Sequence, residues 1–287
     1  MKRFSAASVA SVPFTRARVA RGLFLGGVAL LAFALGGCQT ATADGAAADS
    51  GAGTAGRDTG RPTVVFEAGL GDGASVWSQV APAIANDTRI YTYSRRGYGV
   101  SLPALGDRSG ARAIEELRER LRAEGLRPPY VLVGHSLGGL YVHLFAKLHP
   151  DEVAGLVLVD PTPPDHTTNM KAEQPAQYAL LQTIRTLQVA TTGGAEFRSL
   201  PETSRQWHAA PTPPCPAILL SAQQPQMGES AAFVAFKVRH QRELVAGTPS
   251  TQFRLVPDSG HYIQKERPAL VIAAIREILT QTATAQK

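Results

Sequence analysis

The sequence predicts an α/β fold, a mostly parallel sheet of about six strands flanked by helices on both faces. Three observations lead there. Short, uninterrupted apolar runs such as "YVLVG" and "AILLSA" have the character of strands buried on both sides. Helical stretches alternate with these runs from Arg61 onward. One interval, 163–214, breaks the alternation, and at about fifty residues it is too long for a plain loop.

The elements follow in order. "PTVVFEAG" is an apolar strand ending at a glycine. "ASVWSQVAPAIAN" has helical spacing, and "RIYTYS" is rich in β-formers. "ARAIEELRERLRAEG" is a charged amphipathic helix with Gly125 at its end. "YVLVG" is a buried strand, followed by "LGGLYVHLFAKLHP", a helix stopped by Pro150. "VAGLVLVD" is the next strand, ending at Asp160. The long interval then begins among prolines and contains the helix-like "AQYALLQTIRTLQVA". It reads as a small helical cap inserted after the Asp160 strand. "AILLSA" resumes the sheet, "AAFVAFKVRHQRELVAG" is helical, and "TQFRLVP" is the last strand. "PALVIAAIREILTQTATAQ" closes the chain as a helix, with Pro268 at its first position.

The 287 residues, 44% of them hydrophobic, suit one large domain with a sizeable core over 61–287. The net charge of +6 does not argue for nucleic acid. Lys2, Arg3, Arg16, Arg18 and Arg21 supply +5 of it, and residues 1–37 contain no acid. Basic and acidic residues nearly balance in the rest, so no basic patch is expected there. The N-terminal stretch reads as an export signal over 1–37. Its apolar run, "LFLGGVALLAFALGG", is about fifteen residues, shorter than the roughly twenty of a membrane span. The closing "ALGGC" resembles a bacterial lipobox, which implies lipidation of Cys38 and a membrane anchor. The alternative is an ordinary cleaved signal with Cys38 incidental. Gln39 rather than Asp after the cysteine implies, in a Gram-negative cell, sorting to the outer membrane. Residues 38–60 are small, polar and Gly/Ala-rich, and read as a flexible linker. Cys215 is the only other cysteine and reads as a small buried hydrophobe.

Gly134-His135-Ser136-Leu137-Gly138 is a G-x-S-x-G placed between an apolar strand and an apolar helix. That context suits a sharp, strained turn that presents the serine hydroxyl above the sheet. The helix beginning at Leu137 offers free N–H groups and a positive dipole end. Three further stretches, "VVFEAGLGDG", "SRRGYGVS" and "DSGHYIQKERP", join this motif, and with them residues 62–283 resemble an α/β-hydrolase. The resemblance implies the chain order nucleophile, acid, histidine. It departs from the family at Ser94, where Asp is usual, and at the front, where the first two family strands have no counterpart.

A serine hydroxyl needs a base. Seven histidines compete for that role. His135 adjoins the serine but faces the other side of the turn. His143 and His149 lie along and at the end of the following helix, His166 and His208 in the cap, and His240 on a charged helix. His261 follows the last strand, at the sheet edge where Ser136 sits, and is the expected base. The base in turn needs a carboxylate to fix its tautomer. The family's usual position follows "AILLSA", but that stretch holds no Asp, and its first acid is Glu229. Asp160 ends the preceding strand on the same edge, since parallel strands share their C-terminal side. Asp160 is therefore the leading acid, Glu229 the alternative, and Asp165 and Asp258 remain open. The backbone N–H groups of Leu70 and Leu137 are the expected oxyanion donors, with Gly71 and Gly73 allowing close backbone approach.

The expected function is hydrolysis of carboxylic esters through an acyl-enzyme on Ser136, with a small apolar ester-like substrate and no cofactor. Trp77 and the apolar cap suggest a hydrophobic pocket. No metal-ligand spacing appears, and "GLGDGA" lacks the third glycine of a dinucleotide loop. A serine nucleophile argues against epoxide hydrolase and dehalogenase chemistry. C–C hydrolase, aminopeptidase and perhydrolase chemistries keep the same triad and stay open. So does a surface lipoprotein that retains the fold only for binding.

Overall fold

Every residue of Thr63–Glu67 (β2), Tyr130–His135 (β4) and Ala217–Ala222 (β6) is buried, as strands covered on both faces must be. The computed structural model describes residues 52–98, 103–226, 228–248 and 250–285. The stretch read as an export signal, and Cys38, lie outside them. Four further strands, Gly53–Ala55 (β1), Ile90–Thr92 (β3), Val153–Val159 (β5) and Thr251–Val256 (β7), complete a seven-stranded sheet in the order β1-β3-β2-β4-β5-β6-β7. All neighbours pair in parallel except β1 with β3.

The period-two alternation of a strand divides the core into two layers. Val65, Leu132, Leu156 and Leu219 point to one face, against Gly110–Ala123 (α2) and Leu137–Leu148 (α3). Val64, Val131, Val157 and Ile218 point to the other, against Ala81–Ala85 (α1) and Pro268–Ala285 (α10).

The sheet has seven strands where the sequence predicts about six. The extra one, β1, falls inside the stretch read as linker. Its three residues are all exposed, and it is held by backbone pairing of Gly53 with Thr92 and Ala55 with Ile90. A strand that buries no side chain leaves no hydrophobic signal to read. Gly56 makes the turn out of it at φ +78, where a Cβ would stand 2.3 Å from the Thr88 carbonyl oxygen. The helix expected over "ASVWSQVAPAIAN" is also split, into a 3₁₀ turn, Ala74–Trp77, and α1. Trp77 is fully buried against Phe66, with ring centroids 5.2 Å apart. It is a core residue, not a pocket wall.

Between β5 and β6 the chain forms four helices, His166–Glu173 (α4), Pro175–Leu187 (α5), Thr192–Arg198 (α6) and Leu200–Ala209 (α7). Helix α7 docks onto α2 and α3. Thr203 Oγ1 accepts from the N–H of Gly110 at 2.9 Å, and Trp207 Nε1 donates to His143 Nδ1 at 2.9 Å. Helix Ala231–Leu244 (α8) follows β6, and the short helix Ile263–Glu266 (α9) precedes α10. Cys215, just before β6, is a free, buried thiol.

Candidate active site

Ser136 sits between β4 and α3 at φ 53, ψ −121, a backbone conformation that costs an L-residue energy. The glycines on either side permit it. A Cβ on Gly134 would stand 2.5 Å from the Gly138 carbonyl oxygen, and one on Gly138 would stand 2.4 Å from that of Ala68. The elbow is tied to the neighbouring strand end: Ser136 N–H donates to the Val159 carbonyl at 3.1 Å, and Thr162 N–H to that of Ser136 at 2.9 Å.

Asp160 lies directly beyond β5, 2% exposed and at φ 41. Its Oδ2 is 2.6 Å from His261 Nδ1. Its Oδ1 accepts from the N–H of Ala222 at 3.1 Å and from Gln241 Nε2 at 2.8 Å. Burial pushes this carboxyl up, but the His261 hydrogen bond, the Lys237 charge and Gln241 outweigh it and hold it well below the usual carboxylate range. Of the other candidate acids, Glu229 pairs with Lys237 Nζ at 3.2 and 3.4 Å. Asp165 bonds His208 at 2.7 Å, and Asp258 bonds Arg267 at 2.6 Å.

His261 stands on the loop between β7 and α9. Glu266 fixes that loop by accepting from the N–H of Gly260 at 2.7 Å. With Nδ1 committed to Asp160, Nε2 is left for chemistry. His135 braces the loop from β4, its Nε2 donating to the His261 carbonyl at 3.0 Å and its ring 4.5 Å from that of His261. Burial, together with the neighbouring His261, keeps His135 neutral by pushing its pKa down.

The loop carrying Leu70 is clamped from below. Arg95, 3% exposed, donates from Nη2 to the Gly69 carbonyl at 2.8 Å and from Nη1 to that of Ala68. The same guanidinium meets Glu67 at 2.6 Å and Glu196 of α6 at 2.8 and 3.0 Å. Tyr98 bridges the two sides: its hydroxyl donates to Glu196 at 2.7 Å and accepts from the N–H of Gly71 at 3.1 Å. Ser94, at the position where the family has Asp, accepts from the N–H of Ala74 at 3.1 Å. The roles of Arg95, Glu67 and Glu196 do not emerge from the motifs of the sequence. The available signal was charge in apolar surroundings, as in "VVFEAG", where a buried carboxylate demands a partner.

Ser136, Leu137, Leu70, Asp160 and His261 line one cavity of about 390 Å³. The cap contributes Met170, Leu181, Phe197 and Leu200 to its walls. Lys237, Glu229 and His166 line it too. Burial, then the Lys237 charge, push His166 down to about 4, so it is a neutral wall residue at pH 7. Among the described residues, no group of three or more His, Cys, Asp or Glu could hold a metal ion.

A parallel sheet with a strained serine elbow, an acid after one strand end and a histidine after the last defines a class of fold and site. The family model described as "alpha/beta hydrolase fold" matches residues 62–230, and the chain belongs to that family. An uncharacterised protein of Bacillus subtilis is 35% identical over 99 residues, 34% of this chain and 39% of that one. A fluoroacetate dehalogenase of a Burkholderia species is 34% identical over 107 residues, 36% of this chain and 35% of that one. The chain thus spans less than two thirds of these relatives' length. A thermophilic esterase from Thermogutta terrifontis, solved with malate bound, superposes with a TM-score of 0.60 at 20% identity, covering 80% of this chain and 93% of that one. At that identity the likeness is one of fold.

Proposed function

We propose that the protein is a serine hydrolase that cleaves carboxylic esters through an acyl-enzyme on Ser136. The observation that carries this reading is the 2.6 Å His261–Asp160 contact, on the same cavity wall as the elbow serine. His261 Nε2 takes the Ser136 proton as the hydroxyl oxygen attacks the ester carbonyl. Asp160 holds the imidazole in the tautomer that leaves Nε2 free and stabilises the imidazolium as it forms. The N–H groups of Leu70 and Leu137 receive the oxyanion, each worth about 3–4 kcal/mol in the transition state. His261 then protonates the leaving alcohol, and water, activated by the same imidazole, releases the acid.

The cavity is within the roughly 300–1,000 Å³ of small-molecule sites, and its cap-derived walls favour an apolar acyl or alcohol group. The test is labelling with a fluorophosphonate together with turnover of a short p-nitrophenyl ester. Both are expected in the wild type and lost in Ser136→Ala. A folded wild type that neither labels nor turns over would leave the binding-only reading in place.

We also propose that the chain is exported and anchored through a lipidated Cys38, supported by the basic N-terminal stretch, the short apolar run and "ALGGC". Labelled palmitate is expected in the wild type and absent from Cys38→Ala. Incorporation that persists in the variant overturns the anchor.

A further inference from the structure

The residue that most needs explaining beside this site is Lys237. It sits on α8, 7% exposed, and lines the cavity. Its Nζ is 3.7 Å from Asp160 Oδ2, the oxygen that also accepts His261 Nδ1. On its other side it meets both oxygens of Glu229, at 3.2 and 3.4 Å. The order His261–Asp160–Lys237–Glu229 is therefore a row of alternating charge once the imidazole is protonated. Burying an ammonium and a partner carboxylate is expensive, and apolar residues would fill the space at no such cost. Asp160 does not need the lysine to be satisfied. It already has His261, the N–H of Ala222 and Gln241 as donors. The lysine's presence next to Oδ2 calls for a different account.

We propose that Lys237 and Glu229 are positioning residues that set the basicity of His261, acting through the carboxylate of Asp160. The inference rests on the proposed roles of Ser136, His261 and Asp160. A carboxylate that accepts from an imidazole N–H favours the charged form of the ring, and a base held charged cannot take a serine's proton. Lys237 opposes this in two ways: it competes for Oδ2, and it repels the imidazolium. Glu229 limits the repulsion by partly neutralising the ammonium. Glu229, the alternative acid by sequence, so acts on the base through two residues, Lys237 and Asp160.

The other groups around His261 do not supply this control. His135 packs from β4 and is held neutral by burial. Tyr262 stacks edge-on at 5.6 Å, and burial pushes its phenol up to about 12. Asp72 faces His135 Nδ1 at 3.7 Å. His166, from α4, is held neutral. Lys237 is the cation placed against the acid.

The test is the pH profile of kcat/KM with an uncharged p-nitrophenyl ester, whose acid limb reports the free-enzyme base. Lys237→Met removes the opposing charge, and the midpoint is expected to rise by about 1 pH unit; Glu229→Gln unmasks the lysine, and the midpoint is expected to fall by about half to one unit. Lys237→Arg is expected to restore a near wild-type midpoint. A merely structural role would move neither midpoint, or would move both in the same direction, and either result overturns the proposal. If Lys237→Met does not fold, the downward shift in Glu229→Gln and the unshifted Lys237→Arg profile decide. Loss of Glu229→Gln turnover at every pH, with Asp160→Asn still active, would overturn both this proposal and the assignment of Asp160 as the acid. An active His261→Ala would overturn the triad reading itself, whatever the midpoints do.

Discussion

His261 Nδ1 and Asp160 Oδ2 meet at 2.6 Å, across 101 residues of sequence. The contact joins the end of β5 to the loop after β7, on either side of β6. It exists because the two strand ends share one edge of a parallel sheet and because Asp160 turns at φ 41 to bring its carboxylate under the loop. Helix α8 and β6 supply the donors that hold its other oxygen.

The first prediction follows from that contact. Asp160→Asn keeps the shape but puts an amide where the imidazole N–H needs an acceptor, and it favours the wrong tautomer. We expect kcat to fall about 10³–10⁴-fold on a short p-nitrophenyl ester, with little change in KM. Glu229→Gln should retain turnover at its own pH optimum. Comparing the two rate constants assigns the acid.

A second concerns the loop carrying Leu70, the proposed oxyanion donor. Arg95 is wedged between Glu67, Glu196 and the carbonyls of Ala68 and Gly69, and it is almost fully buried. Arg95→Met leaves buried Glu67 without its cation, buried Glu196 with only Arg108 at 3.9 Å, and the loop unclamped. Denaturant unfolding should show a loss of about 3–5 kcal/mol. The remaining folded enzyme should also turn over more slowly, because the Leu70 N–H is no longer held in place. An Arg95→Met protein of wild-type stability would show that the cluster contributes nothing net.

A third tests the elbow. Gly138→Ala drives a methyl to within 2.4 Å of the Ala68 carbonyl, so the elbow and the oxyanion loop must separate. A displacement of about 1 Å between nucleophile and oxyanion donors costs on the order of 10²-fold in kcat. Fluorophosphonate labelling should slow in parallel. Ala at Gly125, where the structure has open space but φ is +68, should cost stability alone.

These residues differ in how far the sequence announced them. Ser136 was legible because its constraint is local: glycines two positions either side, a strand before and a helix after. His261 was legible by its place after the last strand. Asp160 emerged because the commoner position was empty of Asp, which the sequence shows plainly. Lys237, Arg95 and Glu196 were not legible as site residues. Their partners lie far along the chain, Glu196 being 101 positions from Arg95, and the local sequence does not say which distant charge a buried one meets. Strand β1 escaped for the opposite reason: it buries nothing, and backbone pairing leaves no trace in the side chains.

The last prediction concerns acid stability, and it lies at the seam between cap and sheet. His143 Nδ1 accepts the Trp207 Nε1–H bond at 2.9 Å, so it must be unprotonated, and Lys147 stands over the same indole at 3.9 Å. Burial, then the Lys147 charge, push His143 down to about 3. The unfolded chain protonates this histidine near pH 6.5, whereas the folded one resists until about pH 3. Between those values the unfolded state binds more protons, so stability is fully present above pH 6.5 and declines as the pH falls. At about 1.4 kcal/mol per pH unit, His143 alone should make the protein about 2 kcal/mol less stable at pH 5 than at pH 7. His135 and His166, also buried and neutral, act in the same direction. His143→Gln keeps an oxygen to accept the indole N–H and does not titrate, so it should flatten the slope without abolishing it. Urea midpoints at pH 7 and pH 5, followed by tryptophan fluorescence, make the comparison, and an unchanged slope in His143→Gln removes His143 as the source.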